Sequence, residues 1–303
     1  MEQTKRILEK TTLRRLKACP ICNGTKFRDE FTVKDYSISK ENFTISKCAN
    51  CGFILTNPQP APENLGKYYE SEDYVSHSQT KKGFINSIYQ IVKGLNLQNK
   101  FNYIKTYVPR GTWVDYGAGA GDFVSFISKK GIDISGFEPN DKARINAETK
   151  GIELWPIEKI HDLSDDSVAC ITLWHVLEHI PDFHSVLELL SRKLKSGGAL
   201  VIAVPNCASY DALLYKNLWA AYDVPRHLWH FKESDIKNLS QQLNLTYHSK
   251  KGMPFDSFYV SMLSEKYKKG SILLGVYYGF KSNLLAKFSS YPYSSQIYIL
   301  KKP

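Results

Sequence analysis

The stretch Thr112-Trp-Val-Asp-Tyr-Gly-Ala-Gly-Ala-Gly121, with Asp122–Lys130 behind it, decides the fold. Thr112–Tyr116 reads as a short buried strand that runs straight into glycines, and Phe123, Phe126 and Ile127 then share one face of a helix. Strand, glycine turn and helix in that order begin a doubly wound α/β sheet. The glycines let a ligand lie against bare backbone at the strand's C-terminal end, where helix N-terminal amides point outward. Ile132–Phe137 reads as the second strand and ends in Glu138, an acidic residue placed to bind both hydroxyls of a ribose. A dinucleotide is the competing ligand, but relative to the G-x-G-x-x-G fingerprint the third glycine here comes one position early.

Working outward, Ile152–Trp155 and Ser167–Leu173 give the third and fourth strands. Phe183, Val186, Leu187, Leu190 and Leu194 form a helix stripe behind Asp182 as cap, and Gly197-Gly198 end it before a strand at Ala199–Val204. A helix near Glu233–Leu243 and strands near Leu245–Ser249 and Gln296–Lys301 complete the count. The 303 residues suffice for one full α/β domain and a smaller unit, and 43% hydrophobic with 23% charged residues excludes wholesale disorder. The densest apolar run, Ile272–Ala286, is broken by Gly275, Gly279 and Lys281, and Met1–Lys17 lacks an apolar signal core. These features predict a soluble cytoplasmic protein with no membrane insertion. The net charge of +10 is scattered and mostly lysine, which fits a solvated surface better than recognition of a polyanion, although RNA or an anionic membrane surface stays open as a partner.

Four cysteines fall as Cys19-Pro-Ile-Cys22 and Cys48-Ala-Asn-Cys51. Two thiolates three positions apart can face one ion across a tight turn, and two such turns make a tetrahedral S4 shell suited to zinc. The alternating residues between them read as short strands, so the segment resembles a zinc ribbon whose structural Zn(2+) supplies the folding free energy. A redox dithiol is the competing reading of a single CxxC. Cys170 and Cys207 read as packed thiols. Asn57-Pro-Gln-Pro-Ala-Pro62 reads as a stiff linker, followed by a tyrosine-rich stretch (Tyr68, Tyr69, Tyr74, His77) and an amphipathic helix over about Phe84–Tyr107. The expected units are therefore a ribbon over 1–56, a linker and helical lid over 57–110, and the α/β domain with C-terminal acceptor-pocket elements over 111–303.

Together, Val114–Gly121, Gly136-Phe-Glu-Pro139 and Leu173-Trp-His-Val-Leu-Glu-His179 resemble the class I S-adenosylmethionine-dependent methyltransferases, in the branch related to ubiquinone-pathway and sugar methyltransferases. The resemblance spans about Phe101–Lys251. It implies a Rossmann-like seven-stranded sheet with a final reversed hairpin and S-adenosyl-L-methionine as cofactor. Tyr116, Gly117, Gly119 and Gly121 would line its methionine and ribose, Glu138 and Pro139 would meet the ribose, and Asp115 would hold the glycine loop or the amino group through water. Ile157 or Glu158 would meet the adenine, and Trp174 with His175 would shape the pocket. Where many relatives carry an acid at the start of the fourth strand, this chain has Ala169.

His175-Val-Leu-Glu178-His179 also reads as HxxEH, an inverted zinc-peptidase motif, but it follows a buried strand and coincides with the methyltransferase motif. Quinone-pathway relatives hold a divalent ion on an E-x-x-E-H version, in which His175 here replaces the first glutamate. Alternatively, Glu178 and His179 form a hydrogen-bonded structural pair. In Tyr222-Asp-Val-Pro-Arg-His-Leu-Trp-His-Phe231, similarity to sugar methyltransferases implies His227, supported by Tyr222, as acid/base group, with His230 as the fallback and Arg226 orienting an acidic acceptor. The alternative for His227 and His230 is packing. The function expected is methyl transfer to an O or C nucleophile of a small-molecule acceptor such as a sugar, a quinone or phenol, or a lipid-like compound. An rRNA or tRNA methyltransferase and a non-catalytic cofactor-binding protein are the rival readings.

Overall fold

A computed structural model describes residues 13–69 and 84–303, the side chains of 84–92 excepted. Tyr74 and His77 lie outside the described residues. In chain order the strands are β1 (Leu13–Arg14), β2 (Phe27–Lys34), β3 (Asn42–Cys48), β4 (Ile54–Thr56), β5 (Gln59–Pro60), β6 (Trp113–Tyr116), β7 (Ile134–Phe137), β8 (Leu154–Trp155), β9 (Val168–Trp174), β10 (Leu194–Pro205), β11 (Trp229–His230), β12 (Thr246–Gly252) and β13 (Ser295–Lys301). The helices are α1 (Phe84–Ile104), α2 (Asp122–Ser128), α3 (Asp141–Glu148), α4 (Phe183–Lys193), α5 (Tyr210–Tyr215), α6 (Glu233–Gln242), α7 (Pro254–Lys268) and α8 (Ile272–Phe288).

The main sheet has seven strands in the order β12-β13-β10-β9-β6-β7-β8. β6 to β10 pair in parallel, whereas β13 is antiparallel to both β10 and β12 and forms the reversed hairpin. Period-two alternation on β10 builds both faces. Leu200, Ile202 and Val204 enter one core, and Ala199, Val201 and Ala203 enter another with Ile104, Phe123 and Ile127. Asp182 caps α4 by accepting from the Ser185 amide, as its position ahead of the stripe predicts. α4 ends at Lys193, and β10 begins directly at Leu194 with a bulge before Ala199 in place of a separate glycine stop.

The four-cysteine unit forms the hairpin β2–β3 with β4 beside it, but its sheet does not end there. β11, from the far side of the chain, pairs antiparallel with β4, Trp229 opposite Leu55 and His230 opposite Ile54. Phe53 and Leu55 share a core with Leu228, Trp229 and Phe231. The sheet that starts in the segment expected over 1–56 is thus completed by a strand from Trp229–His230. Asn57–Pro62, expected as a stiff linker, is tied to both neighbouring parts. The Asn57 amide donates to Thr44 O, Ser46 Oγ donates to Asn57 O, and Gln59 Nε2 donates to Leu228 O. Proline's missing donor is tolerated because Pro60 lies in a two-residue edge pairing with β1.

Candidate functional site

The glycine loop folds as its spacing demands. The Gly117 and Ala118 amides donate to Phe137 O, tying β6 to the tip of β7. Gly117, Gly119 and Gly121 all have positive φ, at 76°, 56° and 74°. Side chains are excluded for different reasons: a Cβ at Gly117 would strike Val176, one at Gly121 would strike Ile152, and one at Gly119 would meet open space. Open space over a left-handed glycine is the cradle a cofactor needs.

Glu138 is buried beside it, with Oε2 accepting from the Gly119 amide at 2.8 Å and Oε1 from the Asn140 amide at 2.9 Å. The carboxylate keeps lone pairs for a ribose. Asp115 is buried one strand inward and accepts from Thr172 Oγ1 at 2.6 Å. Burial pushes its carboxyl up to about 7, opposed by the Thr172 hydroxyl and the Lys100 charge. Tyr116 is pushed up to about 12 by burial and then by the charge of Glu158. Glu158 itself is exposed, Ile157 packs on the core, and Pro139 is exposed beside Glu138. Trp155, which sequence reasoning did not single out, stands 42% exposed at the end of β8, and its carbonyl accepts from the Glu138 amide. A large exposed aromatic at a strand tip was the available signal.

Trp174 meets Phe123 edge-on at 5.1 Å and carries the Lys100 ammonium 4.2 Å above its ring. His175 has φ of 56° and places Nε2 3.1 Å from Asp256 Oδ2 and Nδ1 3.4 Å from Glu178 Oε1. Burial disfavours its charge, yet Asp256 and Glu178 outweigh that and raise it to about 9. Asp256 and Lys100 belong to helices that no motif marks, so neither was anticipated.

Glu178, His179 and His227 converge, offering ligand-type atoms within 4.8 Å of one another. His175 lies between Asp256 and Glu178, and the residue that joins Glu178 and His179 in the cluster is His227. Glu178 is 1% exposed, and its nearest donor is His175 Nδ1, 3.4 Å from Oε1, in a contact too oblique to satisfy the carboxylate as a hydrogen bond. His227 Nδ1 donates to Ala221 O at 2.8 Å, which leaves Nε2 with its lone pair. His179 Nδ1 donates to Arg226 O at 3.1 Å and lies 2.9 Å from the Tyr69 hydroxyl. Its charge is suppressed to about 4 by burial and by His227. A buried carboxylate facing two imidazoles can hold a proton or a cation.

Three neighbouring expectations change. Tyr222 stands beside His230, rings 4.9 Å apart, in an apolar cluster with Phe31 and Trp219, and burial drives its hydroxyl far above the usual range. Burial keeps that hydroxyl protonated within the packing. Thr56 Oγ1 donates to His227 O at 2.8 Å, so His230 Nε2, 3.1 Å from the same oxygen, is the donor to it. His230 is thereby committed to the β4–β11 pairing. Arg226, only 1% exposed, is spent on Asp35, Asp223 and Tyr68 O, and does not reach an acceptor.

The four cysteines also come together. Sγ atoms of Cys19 and Cys51, and of Cys22 and Cys48, lie 3.6 Å apart. A tetrahedron with Zn–S of ~2.3 Å has edges of about 3.8 Å. Asn23 at φ 57° and Gly52 at φ 75° close the two knuckles. The donor set fits zinc with no ligand position left open, as a structural site requires.

The methyltransferase-domain family matches residues 96–250. The ubiquinone biosynthesis O-methyltransferase of Actinobacillus pleuropneumoniae serotype 7 is 26% identical over 161 residues, covering 47% of this chain and 69% of that protein. Its counterpart from Alkalilimnicola ehrlichii is 23% identical over 170 residues, covering 51% and 66%. Among solved structures, a SAM-dependent methyltransferase from Archaeoglobus fulgidus superposes with a TM-score of 0.48 at 20% identity, over 69% of this chain and 94% of its own. A possible histamine N-methyltransferase from Thermotoga maritima gives 0.49 at 16% identity, over 73% and 97%.

Proposed function

The chain belongs to the class I S-adenosylmethionine-dependent methyltransferase family, and from that we propose that it methylates an oxygen or carbon nucleophile of a small-molecule acceptor, with His227 as general base. When bound, the cofactor supplies an electrophilic methyl group. Glu138 and the Gly117–Gly121 loop bind and orient it, with Asp115, at the end of β6 just before that loop, bonded to Thr172. The observation that carries the reading of His227 is the 2.8 Å bond from its Nδ1 to Ala221 O. That bond fixes the tautomer, so Nε2 takes the proton from the acceptor's O–H or C–H, and the buried Glu178 carboxylate, close to His227, stabilises the imidazolium formed. A positioned base contributes ~10²–10⁴-fold, whereas orientation of the reactants is worth ~7–11 kcal/mol, so geometry outweighs proton removal.

The acceptor class is the remaining step. Phenolic and quinol acceptors are the first choice, because relatives matching about half of the chain are named for ubiquinone biosynthesis. Purified protein is incubated with labelled cofactor and, separately, a catechol or quinol panel, nucleotide sugars and total RNA. Label on a phenol or sugar supports the proposal. Label on RNA alone, or cofactor binding with no transfer to any acceptor, overturns it.

A further inference from the structure

Helix α8 is apolar on the side that faces nothing. Its inner stripe is Gly275, Gly279 and Ser282, and the two glycines bring it so close to α7 that a Cβ would strike the backbone of Met262 or Phe258. The opposite stripe is Leu273, Val276, Tyr277, Phe280, Leu284 and Phe288, each between 44% and 75% exposed. A surface helix normally turns polar residues outward, and monomers rarely expose a contiguous apolar strip of this kind without a use.

Charge identifies the occupant. From Lys266 to Pro303 the sequence has no aspartate or glutamate, while Lys266, Lys268, Lys269, Lys281 and Lys287 lie in and around the hairpin of α7 and α8. A second copy seated on this face would set lysines against lysines with no acid in that stretch to pair them. An anionic lipid surface is complementary to both parts: apolar side chains sink to the acyl boundary, lysines meet phosphates, and Tyr277 suits the interface. At 17 residues α8 spans about 26 Å, short of a ~30 Å hydrocarbon core, and no helix among the described residues is long and apolar enough to cross a membrane. We propose that α8 lies in the plane of an anionic membrane and docks the enzyme there. The docking helix is mechanically joined to the site, because Asn283 Nδ2 donates to Pro254 O at 2.8 Å and Ser257 Oγ to Gly279 O at 3.1 Å, on either side of Asp256. The proposal concerns the surface alone and holds whichever acceptor is methylated.

Vesicle co-sedimentation of the full chain tests it, with phosphatidylcholine alone and with added phosphatidylglycerol. Binding should appear with the anionic lipid, weaken as salt rises, and fall at least tenfold in the double variant Phe280→Ser, Leu284→Ser. Both side chains point away from the core, so the variant should keep the parent's melting temperature and cofactor affinity. The double variant Lys281→Glu, Lys287→Glu should bind weakly while leaving the apolar strip in place. Absence of vesicle binding at low salt, or binding indifferent to both variants, overturns the proposal. So does a dimer in sedimentation velocity that Phe280→Ser, Leu284→Ser dissociates, since the face then belongs to a second copy.

Discussion

The Arg226 guanidinium lies 3.0 Å from the Asp35 carboxylate across 191 positions of sequence, with both side chains closed off from solvent. Asp35 closes the β2–β3 turn by accepting from the amides of Ser37 and Ser39. Arg226 immediately precedes His227 and also holds Asp223 at 2.6 Å. The pair therefore links the tip of the ribbon to the segment that carries the proposed base, and each carboxylate is held below its usual range chiefly because the guanidinium outweighs burial.

Asp35→Ala leaves Arg226 with one carboxylate and strips the turn of its acceptor. Breaking a buried pair on one side costs ~3–5 kcal/mol, so denaturant unfolding should show a loss of that order. Amide exchange should quicken at Asp223–Phe231 as well as in the turn. A change confined to residues 35–39 would show that the pair does not position the His227 segment.

Zinc removal should reach the chemistry. Because Phe53 and Leu55 pack with Leu228 and Trp229, loosening the knuckles loosens β11 and the His227 segment. Chelation, or Cys48→Ser, should lower the melting temperature and reduce kcat, while calorimetry records cofactor binding within a few-fold of the parent. One zinc per chain by elemental analysis is the accompanying expectation.

Glu138→Ala removes the charged acceptor at the tip of β7. Cofactor affinity should weaken by at least ~1 kcal/mol, read by calorimetry. Equal affinity would remove Glu138 from the site.

His227→Ala should lower kcat by ~10²-fold or more with cofactor affinity unchanged, and the deficit should shrink at high pH, where the acceptor loses its proton unaided. Loss of thermal stability together with cofactor affinity would instead mark a packing role.

Asp115 supplies a pH test of opposite sign to the usual carboxylate. An unfolded aspartyl group titrates near 3.8, whereas the buried Asp115 holds its proton to about 7. Between those values the native state binds a proton that the unfolded chain has released, so stability falls as pH rises from about 4 to about 7 and then levels off. Asp115→Asn should flatten that slope in thermal melts across the window.

The order of strands and the glycine loop were legible because they are local: a buried run, a turn that only glycine tolerates, and an acid at the next strand tip. The four-cysteine site was legible for the same reason, since each knuckle is four residues long. What could not be read was the company each residue keeps. Tyr222, Arg226, His227 and His230 fall within nine positions of sequence, yet the fold sends Tyr222 into an apolar cluster, Arg226 to Asp35, His230 to Thr56 and only His227 to Glu178. Those fates depend on β11 meeting β4, a pairing with no signature in either dipeptide. Asp256 and the outward face of α8 were missed because their meaning lies in what stands opposite them.

The β4–β11 pairing has a consequence during synthesis. Thr56 leaves the ribosome 174 positions ahead of His230, its hydrogen-bond partner. At ~5–20 residues per second the interval is roughly 10–35 s. Throughout it the cysteine knuckles are already complete and competent to take metal, while the free edge of β4, which carries Leu55 and follows Phe53, has no strand to meet. An open apolar edge is a template for other nascent chains. Yield in the cell should therefore respond to whatever shelters that edge, a holding chaperone or slower initiation, more than to the stability of the finished protein.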